Sequence, residues 1–405
     1  MNPPKKKHYL FIRRLPDSLP WGGLELLMLD WFERINYAEC EVTLLITPGG
    51  KALFSERFSS HALEINIIEY PLNVDASSWK TFTELYYLIR AIKPSTIIFI
   101  QGIFIDFRFS YVFAAFLSAP GHVYMSENLA PTSPTAKTSK KHLGFIPGLA
   151  LWWHTPRFFY MMRAYLCRKI IAVSQEIKDQ LISLWTYPKS KIEVAHHGID
   201  IKTFKPSLEE RKIMRESLKI SDNEVLIFLA ARLTQVKRID RAIEAFDLVS
   251  KDFPDAKIVI AGKGPLENEL RTLAKSKNSS SKILFLGHLN NIAPYMQMCD
   301  INLLTSDNEG FGIALVEALA TGLICVSTRC PGPNEIIQDQ INGFLVDKSV
   351  PGVSQGLSRA LRLSTLERAM MSKRAIEVVR TNFEINSNIQ KAFALMQIPF
   401  FINTQ

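Results

Sequence analysis

The stretch Asp300–Gly322, DINLLTSDNEGFGIALVEALATG, reads as three local structures in succession. DINLLTS is a short apolar run that predicts a buried strand, EGFG is a glycine turn leaving it, and IALVEALATG predicts the helix that follows. A strand that passes through a turn into a helix is half of a βαβ unit. Open parallel sheets built from such units bind ligands beyond the carboxyl ends of their strands. Glu309 falls at such an end. Beside it Gly310, Phe311, Gly312 and Ile313 bring backbone N–H groups to a helix N-terminus, where an anion such as a diphosphate can lie. Glu317, about a turn and a half into the helix, is flanked by Ala314, Leu315, Val316, Ala318 and Leu319. A carboxylate in those surroundings calls for hydrogen-bond donors such as a pair of ribose hydroxyls, with an ordinary helix-face acid as the plainer alternative.

Outward from this stretch the same alternation continues. EVLIFLAA, AKIVIAG, KILFLG and ICVST alternate with the helical patterns RIDRAIEAFDLVS and LENELRTLAKS. An earlier series, HYLFIRR, EVTLLIT, TIIFIQ, HVYMS and KIIAVS, does the same in the first half of the chain. This order predicts parallel sheets covered by helices. Between the two series KIEVAHHGIDIKTFKP, Lys191–Pro206, reads as a linker around Gly198. A chain of 405 residues exceeds what one core usually serves, so two domains are expected, 1–198 and 199–385. The remaining segment, 386–405, has the option of crossing back to the first.

Composition narrows the function classes. With 47% hydrophobic and 21% charged residues the chain has the balance of a packed protein. Its formal charge of +9 admits nucleic acid, an anionic membrane surface or a phosphorylated small molecule as partner, or simply a solvated basic surface. Five scattered cysteines, with no CxxC pair and no histidine at ligand spacing, fit a metal-free protein in a reducing cytosol. No apolar signal core follows Met1–Lys7, and the apolar run from Ile97 to Ala119 is interrupted by Gln101, Asp106 and Arg108. The chain is therefore expected to be cytoplasmic and not to cross a bilayer.

Two further places could carry chemistry. Arg232 and Lys237 follow the strand EVLIFLAA, and a rigid guanidinium with a point-charge ammonium at fixed separation suits a diphosphate. A solvated surface pair is the alternative. In AGKGP, Gly262 and Gly264 permit close backbone approach to a ligand, and a tight turn alone would also require them.

Taken in order, LAARLTQVKRIDRAIEAF, AGKGP, the Glu309 and Glu317 pair, and PGPNEII at Pro331–Ile337 resemble the donor-binding domain of retaining glycosyltransferases of the two-Rossmann GT-B fold. The resemblance is in particular to glycosyltransferase family 4, the group 1 glycosyltransferases. WGGLELLMLDW, with Gly22, Gly23 and Glu25, resembles the family's glycine loop near donor phosphates and acceptor, and IIAVSQEIKDQL with HHGID resembles its last N-terminal strand and linker. The similarity spans roughly residues 8 to 385.

The resemblance implies an α/β protein of two Rossmann-like parallel-sheet domains facing across a cleft, the first binding the acceptor and the second the nucleotide sugar. Glu309 would contact the donor sugar, Glu317 the ribose, and Arg232 and Lys237 the diphosphate. One departure stands out. Where many members carry a Glu-His pattern, this chain reads Glu127-Asn128. Asparagine cannot titrate, so Asn128 would position groups while the leaving phosphate takes the acceptor proton. His122, His142 and His154 could substitute, although structural or surface roles are plainer. The aromatic and basic segment Lys140–Lys169 could touch a lipid-linked acceptor or an anionic bilayer, with a buried helix as the plainer reading.

The expected activity is retaining, metal-independent transfer of a hexosyl group from a UDP- or GDP-hexose to a hydroxyl of a glycan or lipid-linked acceptor, in surface polysaccharide or glycolipid synthesis. No cofactor and no nucleic acid are implied, and peripheral contact with the inner face of the membrane is an added option. No Asp-x-Asp metal anchor of the other major transferase fold is found. A nucleotide-sugar epimerase or a phosphorylase on the same fold, and a non-catalytic nucleotide-sugar-binding module, are the rival readings.

Overall fold

The computed structural model describes residues 6–15, 23–60, 63–72, 79–102, 109–128 and 156–401. Gly22, His142, His154 and the Lys140–Lys169 segment before residue 156 lie outside the described residues.

The first sheet has seven strands: β1 (Lys7–Arg13), β2 (Cys40–Ile46), β3 (Ile65–Glu69), β4 (Thr96–Gln101), β5 (Val123–Glu127), β6 (Lys169–Ala172) and β7 (Ile192–Val194). All pair in parallel, in the order β3-β2-β1-β4-β5-β6-β7. Every residue of β4, TIIFIQ, is buried. That is why it reads as an unbroken apolar run and shows no alternation: helices cover both faces of a parallel sheet.

The second sheet has six: β8 (Val225–Ala230), β9 (Ala256–Ala261), β10 (Ile283–Gly287), β11 (Ile301–Leu304), β12 (Ile324–Thr328) and β13 (Phe344–Val346). These too are parallel, in the order β10-β9-β8-β11-β12-β13. The helix Ile239–Val249 buries Ile239, Ala242, Ile243, Phe246 and Val249, the spacing of one helical stripe. They join Ile227 and Leu229 of β8, Ile258 and Ile260 of β9, and Leu357 in one core.

In each sheet the direction of strand progression reverses once, between β1 and β4 and between β8 and β11. At such points the loops leaving neighbouring strands diverge to opposite faces and open a crevice at the carboxyl ends.

The chain divides into two compact units, Met1–His196 with Ile389–Gln405, and His197–Asn388. In the first unit the C-terminal segment is held by the start of the chain. Tyr9 donates its hydroxyl to the Gln397 carbonyl at 2.5 Å, Trp31 meets Phe393 edge-on at 5.8 Å, and the Phe401 N–H bonds to the Arg34 carbonyl at 2.9 Å. No helix among the described residues is long and apolar enough to cross a membrane.

Candidate functional site

Arg232, Lys237, Glu309 and Glu317, singled out by sequence, lie in the second unit, in loops and a helix that leave the carboxyl ends of β8 and β11. Lys237 closes a short 3-10 turn, Gln235–Lys237, just before the helix Ile239–Val249. Its ammonium pairs with the Glu309 carboxylate, although 72 residues separate them. Ser306 donates its hydroxyl to the same Glu309 oxygen at 3.3 Å. Neither partner is sealed: the Lys237 side chain is 24% exposed and that of Glu309 17%. Arg232, half-buried, begins the same loop as Lys237 and accepts the Thr234 N–H on its carbonyl at 2.8 Å.

The loop after β9 packs backbone to backbone against the loop after β8. Ala231 and Leu233 donate their N–H groups to the carbonyls of Ala261 and Lys263, both at 3.0 Å. Gly262 sits at φ 137°, and a Cβ there would lie 1.9 Å from the Ala231 carbonyl oxygen. At Gly264 a Cβ would lie 2.4 Å from that of Leu233. Both glycines are thus required by this loop contact itself, which also sets the course of the chain through Arg232.

Around EGFG the supports come from further along the chain. Gly310 is buried, the Phe311 ring stands edge-on to His197 at 5.3 Å and to Phe383 at 5.6 Å, and Gly312 takes φ 95°. The helix Ile313–Thr321 starts at the next residue, so its first-turn amides face the same end as Glu309. Glu317 lies within this helix at 9% exposure, beside the buried Leu315, Val316, Ala318 and Leu319. The Gly332 N–H holds the Glu309 carbonyl at 3.0 Å, and a Cβ on Gly332 would lie 2.0 Å from the Phe311 carbonyl oxygen. Thr328 and Cys330 donate to the Ser306 carbonyl at 2.7 and 3.1 Å. Burial pushes the Cys330 thiol up, so it stays protonated and available as that donor. Sequence reading noticed PGPNEII as a motif and missed that it props the Glu309 turn.

The remaining singled-out residues belong to the first unit. Gly23 begins the helix Gly23–Phe32, whose Glu25 is buried against Arg13 of β1 at 2.7 Å. Asn128 follows β5 and donates its amide nitrogen to the Gln101 carbonyl at 2.5 Å. A backbone carbonyl only accepts, so this bond fixes which way the amide points. Its oxygen Oδ1 is buried and meets no donor among the described residues.

Behind Asn128, Glu127 accepts from Gln101 Nε2 at 2.8 Å and from Arg163 Nη2 at 3.0 Å. Arg163, in the helix Pro156–Leu166, also donates to the Tyr187 hydroxyl at 2.5 Å and stacks over the Tyr160 ring at 4.9 Å. Burial works against its charge, but Tyr187 and Glu127 outweigh burial and hold the guanidinium above its ordinary range. Arg163 lies in the aromatic, basic segment singled out by sequence, but the sequence names neither Arg163 nor Tyr187 as a site residue. His122 is exposed and precedes β5, so it sits at the amino end of that strand, a strand's length from Asn128. His122 therefore does not share the carboxyl end of β5 with Asn128.

The five cysteines are buried and unpaired with one another, and no group of three metal-ligating side chains occurs among the described residues.

The Glycosyltransferase Family 4 model matches residues 21–203, and the model for glycosyl transferases group 1 matches residues 210–378. The N-acetyl-alpha-D-glucosaminyl L-malate synthase of Bacillus anthracis is 30% identical over 216 residues, 53% of this chain and 55% of its own. A UDP-Gal:alpha-D-GlcNAc-diphosphoundecaprenol alpha-1,3-galactosyltransferase of Escherichia coli is 26% identical over 227 residues, 55% of this chain and 58% of its own. The chain thus spans little more than half the length of these curated relatives. Among solved structures, Anabaena HepE in complex with UDP and glucose has the same fold, with a TM-score of 0.75 over 96% of this chain and 99% of that one, at 18% identity. Two parallel-sheet domains of this kind, matched by one family model in each half, place the chain among the group 1, family 4 glycosyltransferases of GT-B fold.

Proposed function

We propose that the chain transfers a hexosyl group, with retention of anomeric configuration, from a nucleotide diphosphate sugar to a hydroxyl of a glycan or lipid-linked acceptor. The observation that carries this reading is the pairing of Lys237 with Glu309 at the strand-order reversal between β8 and β11, beside the N-terminus of the helix Ile313–Thr321. A cation, a carboxylate and first-turn amides converge where a parallel sheet offers its crevice.

As the bond from the anomeric carbon to the diphosphate breaks, negative charge grows on the leaving group. Lys237, Arg232 and the helix N-terminus stabilise that charge more than they stabilise the bound donor, which lowers the barrier. When Lys237 turns to the diphosphate, the Glu309 carboxylate is released to accept hydrogen bonds from sugar hydroxyls. Glu317 holds the ribose hydroxyls. With charge neutralisation assigned to two side chains, the reading needs no metal. The leaving phosphate takes the acceptor proton on the same face, and Asn128, its amide already oriented, offers Oδ1 to a substrate hydroxyl. The acceptor named for the E. coli relative, a sugar on a lipid diphosphate, favours an acceptor of this class and work at a membrane surface.

The test uses purified full chain with UDP-glucose, UDP-galactose, GDP-mannose and ADP-glucose, following thermal stabilisation and slow donor hydrolysis. One nucleotide family should raise the melting temperature and be hydrolysed, and Glu309→Ala and Lys237→Ala should lose hydrolysis. Absence of stabilisation by every nucleotide sugar would overturn the donor site. Once an acceptor is found, the anomeric configuration of the product decides retention.

A further inference from the structure

The loops that bring Lys237 and Glu309 together are tied by a set of charges that the proposed reaction does not use. Asp307, two residues before Glu309, receives Arg241 Nη2 at 2.7 Å on one carboxylate oxygen and Arg238 Nη1 at 3.3 Å on the other. Its own N–H donates to the Val236 carbonyl at 2.8 Å, next to Lys237. Arg241, almost fully buried, also donates to the Thr305 carbonyl at 2.8 Å. The Thr305 hydroxyl lies 3.0 and 2.9 Å from the carbonyls of Lys237 and Arg238. Each bond runs to the loop after β11 from the loop after β8 or from the first turn of the helix Ile239–Val249 that follows it.

Arg238 adds a second, independent observation. It takes φ 49°, ψ 49°, the left-handed conformation that glycine adopts without strain and an arginine does not. It provides no side-chain cap to the helix that starts beside it. What its side chain does instead is fork onto Asp240, at 3.0 and 2.8 Å, and reach Asp307.

Building on the donor-site reading above, we propose that Asp307, Arg238 and Arg241 form an ionic clasp that sets where Lys237 stands relative to Glu309, and that Arg238 and Asp307 are positioning residues for donor turnover. The clasp fixes backbone on both sides of Lys237, so the ammonium can exchange Glu309 for the diphosphate by side-chain rotation alone. Pre-set geometry of this kind lowers the barrier without adding affinity.

The experiment compares Arg238→Gly, Asp307→Asn, Arg238→Lys and Lys237→Ala with the parent full chain, using UDP-glucose, UDP-galactose, GDP-mannose and ADP-glucose as probes. Glycine suits the backbone at 238 and asparagine is isosteric at 307, so both variants should fold. Arg238→Gly should melt within about 3 °C of the parent, because relief of the left-handed backbone offsets lost partly exposed pairs. Its kcat for donor hydrolysis, and that of Asp307→Asn, should fall about tenfold or more with donor KM little changed. Arg238→Lys, which keeps a cation near Asp307, should fall between parent and Arg238→Gly. If both variants turn over within about twofold of the parent while Lys237→Ala falls about 100-fold, the clasp is overturned and the donor-site reading stands. If Lys237→Ala itself turns over at the parent rate, the donor-site reading falls and the clasp with it.

Discussion

Each unit places an ion pair where strands end, and the two pairs differ in their access to water. Arg163 and Glu127 in the first are 0% and 1% exposed, and each has a further hydrogen bond, Glu127 from Gln101 and Arg163 to Tyr187. Lys237 and Glu309 in the second keep 24% and 17% exposure. A sealed pair has lost its hydration and is tolerable only while every partner stays in place, so it locks the backbone around it. A reachable pair keeps part of its water and can trade one partner for a ligand at small cost. The first suits holding Asn128 still, the second receiving a charged substrate.

The largest break in this comparison should come from Arg163→Met. It strands the Glu127 carboxylate in the interior and should cost about 3–5 kcal/mol, read from the urea unfolding midpoint. A cost under about 1 kcal/mol would mean that the sealed pair locks nothing. Lys237→Ala should show the opposite profile. Stability should change by less than about 1 kcal/mol, while donor hydrolysis falls about 100-fold. Equal losses of stability at both positions would erase the distinction between the pairs.

Gly332→Ala sharpens the account of the reachable pair. The added methyl would collide with the Phe311 carbonyl, so a cost of about 1–3 kcal/mol should come together with slower turnover as the Glu309 turn shifts. Full activity with reduced stability would show that the turn tolerates loss of its prop. Ser364→Ala supplies the smallest effect and the baseline. Ser364 and Glu367 close a capping box at the start of the helix Thr365–Asn382. Its loss should cost about 1 kcal/mol and leave turnover unchanged.

Much of the fold was legible because its signals are local. β4 and β11 are apolar runs that end in polar or glycine residues, and the stripe Ile239, Ala242, Ile243, Phe246 is visible in the sequence alone. At the site, Glu309 and Lys237 were legible one at a time, and their contact across 72 residues was not. Arg163 is separated from Glu127 by 36 residues and from Tyr187 by 24, and the aromatic, basic segment around it gives no sign of either partner. In sequence Gly262 and Gly264 suit a ligand or a turn, and the backbone of the loop after β8 supplies a third reason. Arg238 offered no warning at all, since a left-handed arginine is written like any other.

The return of Ile389–Gln405 to the first unit bears on how the chain comes into being. The Tyr9 hydroxyl bond to Gln397 spans 388 residues, and the Ile35 bridge to Phe400 is nearly as long. The second unit, by contrast, is one uninterrupted stretch from His197 to Asn388. A ribosome delivers residues in order, so the unit begun first is completed last, after its successor has already emerged. Until then Trp31 has no partner from the Ile389–Gln405 segment, and the nascent first unit must wait with part of its apolar surface uncovered.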